Sequence, residues 1–405
     1  MRSPLAGKVF FATAAAVAGL AASTSAGATP LATELQRALT VPGVSWTATG
    51  VVAIDLPTGG TVYRRNAALS LRPGSNEKLA VALAALVELG PGYRITTQVL
   101  GDGTLDGSVW RGRLVLKGFG DPSLSRLKLA RLAARIEDAG IQSVTGRILG
   151  DETYFDTRRM APGWKPSFYK LECPPLSALI VDAGKIGRRT VDDPALAAAR
   201  AFRQALIAEG IRVPRGAVKG IAPEGSAPLA IARSSTVATL VRRMNLRSDN
   251  FIAEMLTKDL GAVELGSGTT AAGTTVMRRV LRARGVPLAG VRLADGSGLS
   301  RYDRMTAISL AALLISAWSD PALHDPFVAS LPVAGISGTL EDRLERLPAR
   351  GRVRAKTGTT NRASALSAYV GRRYVFAILQ NGNPIPWWYA RRGQDRFAQV
   401  LAGRL

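Results

Sequence analysis

Val, Thr and Ala predominate over residues 45–54, a turn follows at Pro57-Thr58-Gly59-Gly60, and residues 61–64 extend again, which predicts a β-hairpin. After Pro73-Gly74 the period changes. Leu79, Leu83, Leu86 and Val87 share one helical face, so residues 79–89 are predicted helical, with Ser75 at the helix start. Alternation at 110–117 predicts a strand. A helix is expected at 127–139, a strand at 144–149 and an Ala-rich amphipathic helix at 195–209, whereas the Pro/Gly-rich stretch 216–228 reads as loop. The last third returns to long helices, 237–260 and 270–284. It ends in strands at 352–356, 363–370 and 374–379, the latter two joined at Gly371-Arg372-Arg373. A chain of 405 residues exceeds what one core usually holds. The order of elements predicts one domain built from both ends, residues 29–95 plus 232–405, with an α/β domain inserted at 96–231.

Arg2 and Lys8 precede an apolar run over 9–20, and Ala26-Gly27-Ala28 follows. This is the layout of a secretory signal over residues 1–28, cleaved after Ala28; an uncleaved anchor is the other reading, for which the run is short. The mature protein is therefore expected in the periplasm, at the cell wall or outside the cell.

Lys and Arg total 53 against 30 Asp and Glu, a formal charge of +23. The basic residues are scattered and no nucleic-acid-binding pattern is present, so nucleic acid is not an expected partner. A solvated Arg-rich surface, or contact with anionic wall polymers, fits the charge. The single cysteine, Cys173, excludes an intramolecular disulfide. The single histidine, His324, sits in a Pro-rich segment read as a loop, and is taken as a surface or capping residue. Neither a His/Cys zinc site nor a cofactor is expected, and a hydrolase here must find its base elsewhere.

Three short motifs carry candidate chemistry. In Ser75-Asn76-Glu77-Lys78, the i, i+3 spacing places Ser75 and Lys78 one helical turn apart. A serine hydroxyl needs a neighbouring base, and a lysine serves when burial lowers its pKa. Ser248-Asp249-Asn250, on a tight loop between helices, can aim a hydroxyl and an amide into one cleft. Lys356-Thr357-Gly358-Thr359 closes a predicted strand and offers donors for a substrate carboxylate, with a glycine that lets backbone approach. Alone, each reads equally as a helix cap or an edge turn. Together and in this order they are the signature of penicillin-binding proteins and class A β-lactamases.

The longer stretches "PGSNEKL", "LVLKGFGDPSL", "GDETYFD", "RSDNFIAEML", "DGSGLSRYDR", "LPVAGISGTLEDR" and "RVRAKTGT" resemble the class C penicillin-binding proteins, the D-Ala-D-Ala carboxypeptidase/endopeptidase family. The resemblance implies an α/β (α+β) fold. A penicillin-binding/β-lactamase-like transpeptidase domain, an antiparallel sheet flanked by helices plus an all-helical part, would carry the inserted α/β domain. It implies an exported enzyme acting on peptidoglycan stem peptides ending in D-Ala-D-Ala, with β-lactams as covalent inhibitors. By resemblance, Ser75 is the acylated nucleophile and Lys78 its base. Ser248 relays a proton, and Asn250 binds Lys78 or the substrate amide. Lys356, Thr357 and Thr359 hold the terminal carboxylate at Gly358, and the N–H groups of Ser75 and Thr359 form the oxyanion hole. Arg301 matches a position near the substrate side chain, where it would pair with a diaminopimelyl carboxylate; a surface ion pair is the alternative. Asp156 would line the same pocket. The further β-rich domain common in the family is expected to be absent or vestigial after residues 174–189. A β-lactamase, or a non-catalytic wall-binding module, are the competing functions; no glutamate matches a class A deacylation base.

Overall fold

Residues 29–405 are described by a computed structural model, and the expected export signal at 1–28 lies outside the described residues. Helix α1 (Pro30–Leu39) leads into β1 (Thr49–Asp55) and β2 (Thr61–Arg65), the predicted hairpin. A 3-10 turn, Gly74–Glu77, feeds α2 (Lys78–Ala84), which ends in a π turn at Ala85–Leu89. Next come β3 (Thr96–Asp106), β4 (Val109–Gly118), α3 (Arg126–Asp138), β5 (Ser143–Val144) and β6 (Ile148–Asp151). The ribbon β7 (Lys185–Ile186) and β8 (Arg189–Thr190) precedes α4 (Pro194–Ala208), β9 (Ala217–Lys219) and β10 (Ala227–Arg233). Helices α5 (Val237–Arg247), α6 (Asn250–Leu265), α7 (Thr270–Ala283), α8 (Ala307–Ser319) and α9 (Pro321–Val328) follow. Strands β11 (Val353–Thr360), β12 (Ala363–Val370) and β13 (Tyr374–Asn381), then α10 (Trp387–Ala402), end the chain.

Among the described residues, the two ends of the chain meet in a five-stranded antiparallel sheet ordered β11-β12-β13-β1-β2. Both faces are covered, which is why β1, β12 and β13 read as nearly unbroken apolar runs. Side chains alternate across a strand. Val52, Ile54, Ala365 and Leu379 accordingly join the core with α2, α6, α7 and α8. Val51, Ala53, Leu366 and Ile378 pack on the other face, against Leu35 and Leu39 of α1 and Phe397 and Leu401 of α10. A second sheet, β10-β3-β4-β6-β9, carries α3 and α4 on one face around Phe202, Leu129 and Leu132.

Strand β11 lies at the edge of the first sheet. Part of that edge is covered: Ala355 N–H donates to the Pro332 carbonyl at 3.0 Å, and Ala334 N–H to the Val353 carbonyl at 2.9 Å. Among the described residues this backbone cover ends at Ala355.

Several expectations need correction. The helix expected at 237–260 is two helices, α5 and α6. Ser248 sits in the left-handed region (φ 54°, ψ 40°) and ends α5, while the Asp249 side chain accepts from Ile252 N–H and starts α6. The stretch 216–228, expected as loop, contains β9 and the start of β10; these short pieces are held by sheet neighbours rather than by local pattern. The strand expected at 144–149 is split into β5 and β6. His324 lies in α9 rather than a loop, with Nδ1–H facing the Trp318 carbonyl at 2.9 Å and its ring 4.4 Å from that of Trp318.

Helix α6 is buried on all sides from Phe251 to Ala262, and its contact with α7 is made at glycines. A Cβ on Gly273 would stand 1.8 Å from the Thr257 carbonyl oxygen. Helix propensity alone gives Gly273→Ala a gain of about 1 kcal/mol. Overpacking against rigid backbone outweighs that gain, and a net loss of about 2 kcal/mol is expected, read as a lowered melting temperature. A melting temperature at or above wild type would show that the two helices are not packed this closely.

Candidate active site

Three segments distant in sequence converge where glycines permit it. Gly298 has φ +82°, and a Cβ there would lie 1.9 Å from the Gly74 carbonyl oxygen. A Cβ on Gly358 would lie 2.5 Å from the Pro73 carbonyl oxygen, and one on Gly74 would be 3.3 Å from Thr359 N. The turn bearing Ser75, the loop at 295–300 and the end of β11 therefore touch through bare backbone. Asn76 Nδ2 ties the turn to the strand by donating to the Lys356 carbonyl at 3.2 Å.

Ser75 is half-buried in the 3-10 turn, and Lys78, the first residue of α2, is fully buried. Lys78 Nζ lies 2.9 Å from Ser75 Oγ, 2.8 Å from Asn250 Oδ1 and 2.6 Å from the Ser297 carbonyl oxygen. Asn250 stands at the first position of α6, and its Nδ2 donates to the Glu172 carbonyl at 2.9 Å, which fixes Oδ1 toward the lysine. Two of the three partners of Lys78 are pure acceptors. A neutral amine must spend its two N–H bonds on them, so its lone pair is left facing the Ser75 hydroxyl.

A second chain of bonds runs beside the first. Lys356 Nζ, also fully buried, donates to Ser248 Oγ at 3.0 Å and to the Thr357 carbonyl at 2.9 Å. The left-handed conformation of Ser248 aims its hydroxyl at this lysine. Thr357 Oγ1 is 2.8 Å from Thr339 Oγ1, and Thr359 Oγ1 accepts from Arg391 Nη2 at 3.1 Å. Strand alternation places the N–H groups of Thr357 and Thr359 on the same edge of β11 as that of Ala355, beyond the point where the backbone cover ends.

Burial dominates the electrostatics. It lowers the Lys78 pKa from 10.5 to about 8, against the opposing charges of Asp295 and Glu254. Burial, then the charge of Lys78, pushes Lys356 well below the usual lysine range. Beneath Lys78 lies a cluster of acids that sequence reasoning missed. Asp295 accepts from Trp164 Nε1, Gly298 N and Ser300 N at 2.7, 2.7 and 2.8 Å. Glu254 Oε1 accepts from Gly296 N and Ser297 N at 3.0 and 2.9 Å, and its pKa is raised to about 8 by burial and then by Asp295. Glu77 and Asp303 are buried beside them and held well above the carboxylate range, by burial first and then by Asp295. Both oxygens of Glu77 lack a hydrogen-bond partner among the described residues, which a protonated acid tolerates far better than a carboxylate. The signal was present in the motifs: Glu77 adjoins Lys78, and Glu254 falls one helical turn after Asn250.

Ser75, Lys78, Ser248, Asn250 and Lys356 are thus joined by direct bonds, with Thr357, Gly358 and Thr359 alongside. Arg301 and Asp156 stand apart from these bonds. Arg301 is exposed, donates to Tyr302 Oη at 2.7 Å and has no carboxylate partner among the described residues, so the alternative, a surface ion pair, is not formed. Asp156 is ion-paired with buried Lys258, which also donates to the Arg158 carbonyl at 3.1 Å. The arrangement suits nucleophilic acyl transfer: a hydroxyl, a lysine base of lowered pKa, and backbone N–H groups close by.

The sequence matches the model of the D-Ala-D-Ala carboxypeptidase 3 (S13) family over residues 31–190 and 186–402. It is 30% identical to a D-alanyl-D-alanine carboxypeptidase of Actinomadura sp. (strain R39), over 91% of this chain and 84% of that one. It is likewise 30% identical to carboxypeptidase DacB of Mycolicibacterium smegmatis, over 92% and 83%. In fold it is similar to penicillin binding protein 4 (dacB) from Haemophilus influenzae, with a TM-score of 0.81 at 22% identity, covering 93% of this chain and 99% of that one. A structure of the same Haemophilus protein complexed with a β-lactam gives a TM-score of 0.76 at 21% identity, over 93% and 99%. Since the family model spans nearly all of the described chain and the Actinomadura enzyme aligns along most of it, this protein belongs to the D-Ala-D-Ala carboxypeptidase 3 (S13) family.

Proposed function

We propose that Ser75 is the acylated residue through which this serine-type D-Ala-D-Ala carboxypeptidase/endopeptidase acts on peptidoglycan, with Lys78 as its base. One observation carries the assignment: the Lys78 amine, buried and held by two carbonyl acceptors, turns toward Ser75 Oγ at 2.9 Å. Moving the lysine pKa from 10.5 to about 8 raises its neutral fraction at neutral pH by roughly 300-fold.

The carbonyl of the penultimate D-alanine would rest between the N–H groups of Ser75 and Thr359. Ser75 Oγ attacks its carbon, Lys78 takes the hydroxyl proton, and the amide C–N bond breaks. Ser248, bound to Lys356, passes a proton to the leaving amine. Water then cleaves the ester, and Ser75 regains its proton. Burial disfavours the charged form of Lys356 in the free enzyme, and a substrate carboxylate arriving beside it with Thr357 and Thr359 would favour that form again. Arg301, with no carboxylate of its own, would take a free carboxylate of the stem peptide, with Asp156 lining the same side.

β-Lactams are read as acylating Ser75; the β-lactam complex of the Haemophilus relative supports this. Action outside the cytoplasm follows from the location of the substrate. Residues 96–231 are read as a separate inserted domain, supported by their own sheet and core.

Fluorescent penicillin should leave a covalent band on wild type and none on Ser75→Ala or Lys78→Ala; label retained on the Ser75 variant would falsify the assignment. For Lys356→Ala, acylation should slow by roughly tens- to hundreds-fold, the size of a lost transition-state donor. An unchanged acylation rate would remove Lys356 from the site. Because the neutral amine is the active form, the acylation rate should climb with pH, reach half its maximum near pH 8 and level off above it. The Glu254 carboxylate, which forms as pH approaches about 8, opposes the lowering of the Lys78 pKa, so Glu254→Gln should move the upper part of the rising limb to lower pH. A limb that stays in place or moves upward would refute this electrostatic coupling.

A further inference from the structure

Residues 161–173, within the region read as the inserted domain, reach both groups that hold the Lys78 amine. Asn250 owes its orientation to this segment, since its Nδ2 donates to the Glu172 carbonyl at 2.9 Å. Ser297, whose carbonyl is the other acceptor, lies on the loop at 295–300. That loop is folded around one carboxylate. Asp295 Oδ1 accepts from Gly298 N at 2.7 Å, and Oδ2 accepts from Ser297 Oγ and Ser300 N at 3.1 and 2.8 Å. Trp164 Nε1 adds a bond from outside the loop, donating to Oδ2 at 2.7 Å.

Two further bonds fasten the same segment to the end of the loop. Ser300 Oγ donates to the Pro162 carbonyl at 2.7 Å, and Arg301 N–H to the Gly163 carbonyl at 3.2 Å. Gly163 takes φ +81°, and a Cβ there would stand 2.4 Å from the Tyr302 ring, so this approach requires glycine. The Trp164 ring is buried in an apolar cluster with Cys173, Leu176, Phe251 and Met255. Packing alone would accept a phenylalanine at this place. The indole differs in carrying one donor, and that donor is aimed at a buried acid.

We propose that Trp164 is a positioning residue for acylation: its indole N–H holds Asp295, and Asp295 holds the Ser297 carbonyl against the Lys78 amine. The inference rests on the reading of Ser75 as nucleophile and Lys78 as base. The acceptor must be fixed, because the amine's lone pair faces Ser75 Oγ only while both N–H bonds point elsewhere. The bond from Trp164 also sets the positive end of an N–H dipole against the charge of Asp295. Lys78 is faced by Asp295, Glu254, Asp249 and Cys173, with Glu77 and Lys356 also in its field and Asp303 in that of Asp295. Among these groups Trp164 hydrogen-bonds Asp295 alone. Without the indole N–H, the charge of Asp295 stands less compensated and favours the protonated form of Lys78.

Trp164→Phe keeps an aromatic ring in the cluster and removes the donor. Its rate constant for penicillin acylation should fall about tenfold, the size of one lost bond to a charged group, with the dissociation constant of the preceding noncovalent complex within about twofold. The rising limb of the pH profile should move to higher pH. Benzothienylalanine in place of Trp164, with sulfur where the N–H was, keeps the bicyclic shape and should give the same two changes even if the phenylalanine variant folds poorly. Leu176→Ala, in the same apolar cluster, should lower the melting temperature yet leave the rate constant within about twofold and the limb in place. Wild-type acylation by the benzothienylalanine variant, or a limb that stays or moves downward, would overturn the proposal. So would Leu176→Ala reproducing both changes, since loosened packing would then be enough. A wild type that takes no penicillin label would sink the acyl-enzyme reading and the positioning role with it, whereas a labelled wild type with unaltered Trp164 variants would sink the positioning role alone.

Discussion

A lysine amine carried into a closed interior is the constraint around which this molecule is built. Left to itself there, Lys78 would lose the hydration that stabilises its charge, and the cost would fall on the whole fold. Two fixed carbonyl oxygens and one hydroxyl replace that hydration. Supplying them requires three elements to be in register: the start of α6 for Asn250, the loop ending at Ser297, and the turn before α2 for Ser75. The packing of α6 against α7 at Gly273 and the backbone contact of Gly298 with Gly74 set those positions, so helix packing far from Ser75 bears on where the Lys78 amine is held.

The acids beneath the lysine adjust the same balance. Asp295 is bound by several N–H groups, while burial, and then the charge of Asp295, pushes Glu77 and Asp303 well above the usual carboxylate range. Four ionised carboxylates here would pull the Lys78 pKa back up and keep it charged. One strongly hydrogen-bonded acid, with the others pushed toward neutrality, lets burial keep the Lys78 pKa down at about 8.

The three motifs could be read from the chain because their chemistry depends on short spacings: one helical turn from Ser75 to Lys78, two residues from Ser248 to Asn250. The strands at the chain's end were legible because apolar runs bounded by Gly and Arg allow little else. What escaped depends on contacts between distant segments. Nothing local says that Glu254, on a helix that also carries Lys258 and Asp259, meets Ser297, or that a left-handed Ser248 divides one helical period into two. Helix α10 escaped for a related reason. Its sequence is polar and interrupted by Gly393, whose place becomes intelligible only where Val41 and Ala38 crowd it, at 3.3 and 3.4 Å from a Cβ built there.

The partial cover of β11 has a consequence for solubility and self-recognition. Exposed ladder edges invite other chains to add a strand, and long ones drive aggregation. Here the segment around Pro332 occupies the edge up to Ala355, and only the few residues beyond remain unsatisfied. That length is too short to recruit a neighbouring copy through sheet extension, yet sufficient to grip a dipeptide. The fold thus keeps one short stretch of backbone unpaired while covering the length of edge that would invite strand addition.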